Sequence, residues 1–291
     1  MRKRPGFGSL LIIGGKEDKE EDRIILRVLA KQVGKSGKLV ITTVASQSPR
    51  LLFAEYEACL RSIGMRHIHH LSIDEREEAQ RESKLNVLRD ADAVFFTGGD
   101  QLKITSQLGD TPIFSRMREI YDAGGLIAGT SAGASVMTET MLVAGDGDQS
   151  HRIGSMLKLA PGFGLLPGVI VDQHFAERGR IGRLLGAIAQ NPRILGIGLD
   201  EDAAILVRRG RFQVAGSGAV YVVDGSKVTF TNINEAEPEE PLSIYGVKLH
   251  VLNQSDSFDL RKRSPRYHPG EEVKEAIGLP SEDGNGKNNP K

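Results

Sequence analysis

The chain has 291 residues, 39% of them hydrophobic, with 38 basic and 38 acidic residues, 7 histidines and a single cysteine. That length and apolar content suffice for one large core, while the balanced charge gives no bulk attraction to nucleic acid or to a membrane surface. One cysteine excludes an internal disulfide and a cysteine zinc cluster, no apolar run reaches membrane-spanning length, and the opening Met1-Arg2-Lys3-Arg4-Pro5-Gly6 lacks a signal-peptide core, so a cytoplasmic protein is expected.

Leu10 to Ile13 is an apolar run closed by Gly14-Gly15-Lys16-Glu17, and from Asp18 to Val33 the apolar residues recur at helical spacing, giving strand then helix. Leu39 to Val44 predicts a second strand, Leu51 to Ile63 a helix that takes in Cys59, and His67 to Ile73 a third strand. Gly34-Lys35-Ser36 is not a phosphate loop, because the glycine required five positions earlier is Leu29. His67 and His69 share a strand face, but no acidic or further histidine neighbour completes a metal set. Arg76 to Leu88 predicts a charged amphipathic helix and Ala93 to Phe96 a fourth strand; a helix through Met117 and Ile120 then leads to a strand ending at Gly129. Strands alternating with helices at this spacing predict an α/β fold with a mainly parallel sheet and helices on both faces.

Beyond Ala203 the short alternating runs 204–207, 212–215, 220–223, 228–231 and 242–252 predict antiparallel strands. No linker precedes them, so they are expected to extend the same domain, with residues 1–280 forming a single α/β unit. Residues 281–291, with no apolar side chain, are expected to form a disordered tail.

In parallel sheets ligands sit at the carboxyl ends of the strands. Four apolar runs end in polar groups there: Phe96 leads to Thr97-Gly98-Gly99-Asp100-Gln101, Ala128 to Gly129-Thr130-Ser131-Ala132-Gly133, Val171 to Asp172-Gln173-His174 and Leu199 to Asp200-Glu201-Asp202. The second has the G-x-S-x-G spacing of a nucleophile elbow, in which glycines on either side let the backbone turn sharply and present a serine. Ser131 could instead simply cap a helix; the preceding strand and the polar strand ends favour a nucleophile.

A serine hydroxyl needs a base, and the base needs a partner to fix its tautomer. His174 alone among the histidines ends an apolar strand on the expected edge. For the acid, Asp172, Glu177, Asp200, Glu201 and Asp202 are all near; Glu201 is favoured because an acid from a separate strand can approach the imidazole from behind. The chain order Ser, His, Glu differs from the Ser, acid, His order of α/β-hydrolases. Backbone N–H groups of Ala132 and Gly99 are the expected oxyanion donors. Arg178, Arg180 and Arg183 follow the base closely; they read either as a solvated helix face or as forks for substrate carboxylates, with Asp172 and Glu177 available for a cationic group of the same substrate.

These stretches resemble the cyanophycinases, serine peptidases related to the aspartyl dipeptidase peptidase E. The resemblance rests on Gly129-Thr130-Ser131-Ala132-Gly133, on Thr97-Gly98-Gly99-Asp100-Gln101, on Asp172-Gln173-His174-Phe175 with Arg178, Arg180 and Arg183, and on Asp200-Glu201-Asp202, and it runs from about Leu10 to Leu252. It implies a fold like class I glutamine amidotransferases, with serine in place of their cysteine, and a homodimer. The implied substrate is cyanophycin, a poly-aspartate with arginine on each β-carboxyl, cleaved to β-Asp-Arg. Gln101, Asp172, Gln173, Arg178, Arg180 and Arg183 are then expected to hold the substrate, and no cofactor or metal is called for.

Three other readings compete. An aspartyl dipeptidase would use the same catalytic residues on short peptides, and the arginine cluster is the discriminator: losing Arg180 or Arg183 should hurt polymer cleavage more than hydrolysis of a small aspartyl amide. A carboxylesterase would carry its acid between serine and histidine. A binding module could keep the fold without the reaction, which labelling by a serine-directed reagent would decide. No role is assigned to Arg261-Lys262-Arg263.

Overall fold

The computed structural model describes residues 8–144, 157–235, 237, 240–254 and 256–267; the opening residues 1–6 and the expected tail at 281–291 lie outside them. In chain order the strands are β1 (Ser9–Ile13), β2 (Lys38–Thr42), β3 (His67–Leu71), β4 (Ala93–Phe96), β5 (Leu126–Thr130), β6 (Thr140–Ala144), β7 (Lys158–Pro161), β8 (Val169–Gln173), β9 (Leu195–Leu199), β10 (Ala203–Arg208), β11 (Arg211–Gly216), β12 (Val220–Asp224), β13 (Phe230–Thr231), β14 (Ile244–Tyr245), β15 (Lys248–Leu252), β16 (Asp256–Asp259) and β17 (Ser264–Tyr267). The helices are α1 (Ile24–Val33), α2 (Pro49–Ser62), α3 (Glu82–Val87), α4 (Gln101–Leu108), α5 (Pro112–Asp122), α6 (Ala132–Ser135) and α7 (Ile181–Gln190).

Nine strands form the main sheet in the order β17-β16-β11-β10-β1-β5-β4-β2-β3. The five from β1 to β3 are parallel, and β10, β11, β16 and β17 extend the sheet antiparallel beyond β1. Along β1, Leu11 and Ile13 face one core with Ile25, Leu26 and Leu29 of α1 and Tyr56 and Leu60 of α2, while Leu10 and Ile12 face another. Both faces of the parallel part are therefore apolar, as strands covered on each side require.

The sequence places β8 and β9 in one sheet with the elbow strand. They instead belong to a second sheet, ordered β15-β12-β9-β8, in which only β8 and β9 run parallel. Val169, Val171, Ile197 and Leu199 share the core of Leu10, Ile12 and Ile127, so this small sheet packs over one face of the large one. Its other face, through Ile170 and Val223, is covered by Leu184 and Ile188 of α7. An apolar run reads the same whichever sheet it joins.

Two expected helices differ for local reasons. The first begins at Ile24 rather than Asp18, because the Asp18 carboxylate accepts the N–H groups of Glu20, Glu21 and Arg23 and so holds that segment in a turn. The stretch from Arg76 is a 3-10 turn (Arg76–Gln80) followed by α3, interrupted at Arg81, whose backbone is extended.

The carboxyl ends of both sheets converge on Gly14 and Gly15, just past β1. Gly14 O accepts the N–H of His174 at 3.0 Å, and Gly15 O accepts that of Asp202 at 2.9 Å. Residues following β8 and β9 are thereby brought to the edge where β5 delivers Ser131.

Candidate active site

Ser131 sits between β5 and α6 with φ 53° and ψ −111°, a conformation costly for a residue with a Cβ. Close packing holds it there: a Cβ on Gly129 would run into the Gly133 carbonyl, and one on Gly133 into the Phe96 carbonyl. Helix α6 is a single turn of four residues. The electrostatics at Ser131 therefore come from individual N–H groups rather than from a long helix dipole.

Ser131 Oγ lies 3.0 Å from His174 Nε2, and His174 Nδ1 lies 2.8 Å from Glu201 Oε1. The second distance suits a donor on Nδ1, which leaves Nε2 as the acceptor facing the hydroxyl. His174 is 7% exposed. Burial lowers its pKa; the bond to Glu201 opposes that shift, and the charge of Arg178 adds to it. For Glu201, burial acts upward, but the bonds to Lys16 and His174 prevail and its pKa is lowered. Lys16 Nζ is 3.0 Å from the same Oε1. At neutral pH the arrangement is a neutral imidazole held between a hydroxyl and a carboxylate, which can move a proton off the serine.

The neighbouring acids do other work. Asp200 Oδ1 accepts the N–H of Ala176, Glu177 Oε1 accepts that of Glu201, and Asp202 braces Asp18 and Ser217. All three fix the two turns that carry His174 and Glu201. Gly98 and Gly99, just past β4, flank Ser131 on the side opposite β1: a Cβ on Gly98 would lie 3.4 Å from the serine Cβ. Among the described residues, no protein acceptor takes the N–H of Gly99 or Ala132, so both are available to a developing oxyanion.

The arginines separate into two kinds. Arg178 is exposed at the rim. Arg180 and Arg183 are buried and turned onto Asp172, which is 1% exposed: Arg180 Nη1 is 3.1 Å from Asp172 Oδ1, and Arg183 binds both carboxylate oxygens, with Nε 2.6 Å from Oδ2. Arg180 also donates to the carbonyl and side-chain oxygens of Gln173. Burial brings the Arg180 pKa down to about 10, against the attraction of Asp172, so it remains charged at neutral pH. Gln173 Nε2 is 3.1 Å from Ser135 Oγ, and Gln101 Nε2 donates to Leu142 O at 2.7 Å. Asp172, expected from the sequence to be free for a substrate guanidinium, is thus held by two of the chain's own guanidiniums; a carboxylate this buried needs such partners.

One residue of the site has no role in the sequence reading. Glu17 is 3% exposed; its Oε1 accepts the Tyr56 hydroxyl at 2.5 Å and its Oε2 the Thr130 hydroxyl at 2.7 Å. Burial, with Glu17 beside it, pushes the Tyr56 phenol well above its usual pKa. Thr130 immediately precedes Ser131, so Glu17 ties the β1 turn to the elbow. The available signal was an acidic residue two positions after the glycine pair that follows β1.

His70 Nε2 is 2.8 Å from Thr43 Oγ1 and its ring stacks on Phe53 at 4.3 Å. Among the described residues, no group of three or more His, Cys, Asp or Glu side chains is placed to hold a metal, and no helix is long and apolar enough to cross a membrane.

A strained serine within hydrogen-bond reach of a histidine that a glutamate holds is an arrangement that can support hydrolytic chemistry. Residues 10–215 match peptidase family S51, and the chain belongs to that family. It is 41% identical over 267 residues to the cyanophycinase of Trichormus variabilis, covering 89% of each chain. The cyanophycinase of Geminocystis herdmanii is 34% identical over 260 residues, covering 88% of this chain and 95% of that one. Among solved structures, a peptidase from an acI-B1 Actinobacterium superposes with a TM-score of 0.62 at 22% identity, covering 87% of this chain and 97% of that one, a likeness of fold.

Proposed function

We propose that this chain is a serine-type peptidase that hydrolyses cyanophycin, multi-L-arginyl-poly-L-aspartate, to β-Asp-Arg dipeptides, through one hydrolytic domain spanning residues 1–280. The observation that carries the reading is the 3.0 Å approach of Ser131 Oγ to His174 Nε2, in a chain whose family relatives include enzymes named cyanophycinase.

His174 takes the Ser131 proton on Nε2 as Oγ bonds to the main-chain carbonyl carbon of an aspartyl unit. The N–H groups of Gly99 and Ala132 receive the oxyanion. Collapse of this intermediate breaks the C–N bond, His174 returns the proton to the leaving amine, and an acyl-enzyme remains. Water, deprotonated by His174, attacks the ester and releases the product acid as Ser131 regains its proton. Glu201 holds Nδ1–H and stabilises the transient imidazolium. Arg178, at the rim, meets substrate carboxylates and Gln101 and Gln173 the polar groups of a β-Asp-Arg unit, while Asp172, Arg180 and Arg183 brace Gln173 from within.

Homodimeric assembly, which the family resemblance implies, and a cytoplasmic location, with which a chain of one cysteine is compatible, belong to the same proposal. Mass spectrometry of the soluble fraction after incubation with insoluble cyanophycin tests it. Accumulation of β-Asp-Arg supports the assignment; release of free arginine alone, or of nothing, contradicts it.

A further inference from the structure

Past the Gly98-Gly99 turn, on the flank of Ser131 away from His174, two hollows open. The nearer, about 430 Å³, is lined by Ser46, Gln47, Gly98, Gly99, Asp100 and Lys103 among others. The second, about 550 Å³, shares Asp100 and Lys103 and continues along α4 past Thr105 and Ser106 to Pro161. Both fall within the roughly 300–1,000 Å³ range of small-molecule sites. The residues common to the two carry opposite charges. Asp100 Oδ1 caps α4 by accepting the N–H groups of Leu102 and Lys103, and the residue is exposed. Among the described residues, Lys103 Nζ has no carboxylate partner. Three positions apart at a helix start, the two groups are neighbours.

We propose that these hollows form a track for substrate units still joined to the one being cleaved. This rests on the cyanophycin reading above: each repeat carries one guanidinium and one free α-carboxylate, and the track offers one anion and one cation. Lys103 takes the arginine α-carboxylate and Asp100 Oδ2 the guanidinium of a unit lying beyond Gly99. The track begins where the proposed oxyanion donors sit, so a polymer held in it has its main chain led across Ser131. A substrate of one unit gains nothing from it.

The test compares kcat/KM of wild type, Lys103→Glu, Lys103→Ala and Lys103→Arg on cyanophycin and on the α-p-nitroanilide of a single β-Asp-Arg unit. Lys103→Glu is expected to lower kcat/KM on the polymer at least tenfold, mainly through KM, and to leave the anilide rate within about twofold, with Lys103→Ala intermediate and Lys103→Arg near wild type. Unchanged polymer cleavage in Lys103→Glu overturns the track, as does an equal loss on both substrates. A wild-type enzyme that hydrolyses the anilide but not the polymer overturns the cyanophycin reading itself, and the track with it.

Discussion

Gly15 lies so close against the imidazole of His174 that a Cβ on this glycine would overlap the ring atoms, and its φ of 114° belongs to the region that side chains avoid. The turn that ends β1 therefore sets the position of the histidine ring from behind. Gly15→Ala is expected to push the ring off Ser131 and lower kcat by about 10²-fold or more, the cost of an ångström-scale misplacement. Steady-state kinetics on cyanophycin, with circular dichroism to confirm folding, checks it; a folded variant of normal kcat contradicts the role given to the turn.

In the proposed mechanism His174 must be neutral to accept a proton. Burial lowers the His174 pKa below its ordinary 6.5 and the Arg178 charge lowers it further. Below that lowered pKa the imidazolium forms and the rate falls, so the acid limb of kcat/KM is expected to lie below pH 6.5. Arg178→Ala removes a cation near the ring and should move this limb to higher pH, alongside any loss of substrate affinity. A pH profile of wild type and variant decides it; a limb that stays put after the substitution contradicts the electrostatic coupling.

The site was legible in the sequence where chemistry coincides with a strand end. Ser131, His174 and Glu201 each follow an apolar run that turns polar, and the structure brings the three within hydrogen-bond reach. What escaped depends on partners remote in the chain. That Asp172 faces Arg180 and Arg183 rather than solvent depends on α7 packing over the small sheet. Glu17 finds Tyr56 39 residues away and Thr130 113 residues away. Strands β16 and β17 escaped because both are four residues long and mostly polar, β17 being the exposed edge, and so carry little periodic signal.

Arg183→Ala should be costly even before activity is measured. Breaking a buried ion pair typically costs about 3–5 kcal/mol because a charge is left buried without its partner. Arg180 still contacts Asp172 at 3.1 Å, so the lower end of that range is expected, read as a fall in the urea midpoint. A variant as stable as wild type contradicts the structural role of the network.

Glu17→Leu leaves two buried hydroxyls, on Tyr56 and Thr130, without their acceptor. Each stranded group costs on the order of 1–3 kcal/mol. Because Thr130 adjoins Ser131, the proposed nucleophile, kcat should fall more than KM changes. Tyr56→Phe, which keeps the Thr130 contact, should retain more activity than Thr130→Val at matched stability. Equal activities in these two variants contradict the link from Glu17 to the elbow.

The most direct test removes the Ser131 hydroxyl alone and counts product. Mass-spectrometric quantitation of β-Asp-Arg released from cyanophycin should show Ser131→Ala at least about 10⁴-fold slower than wild type, with polymer binding retained and only the small rate supplied by the oxyanion donors and substrate positioning remaining. Turnover by folded Ser131→Ala within tenfold of wild type would contradict the account, since the proposed acyl-enzyme forms on that hydroxyl.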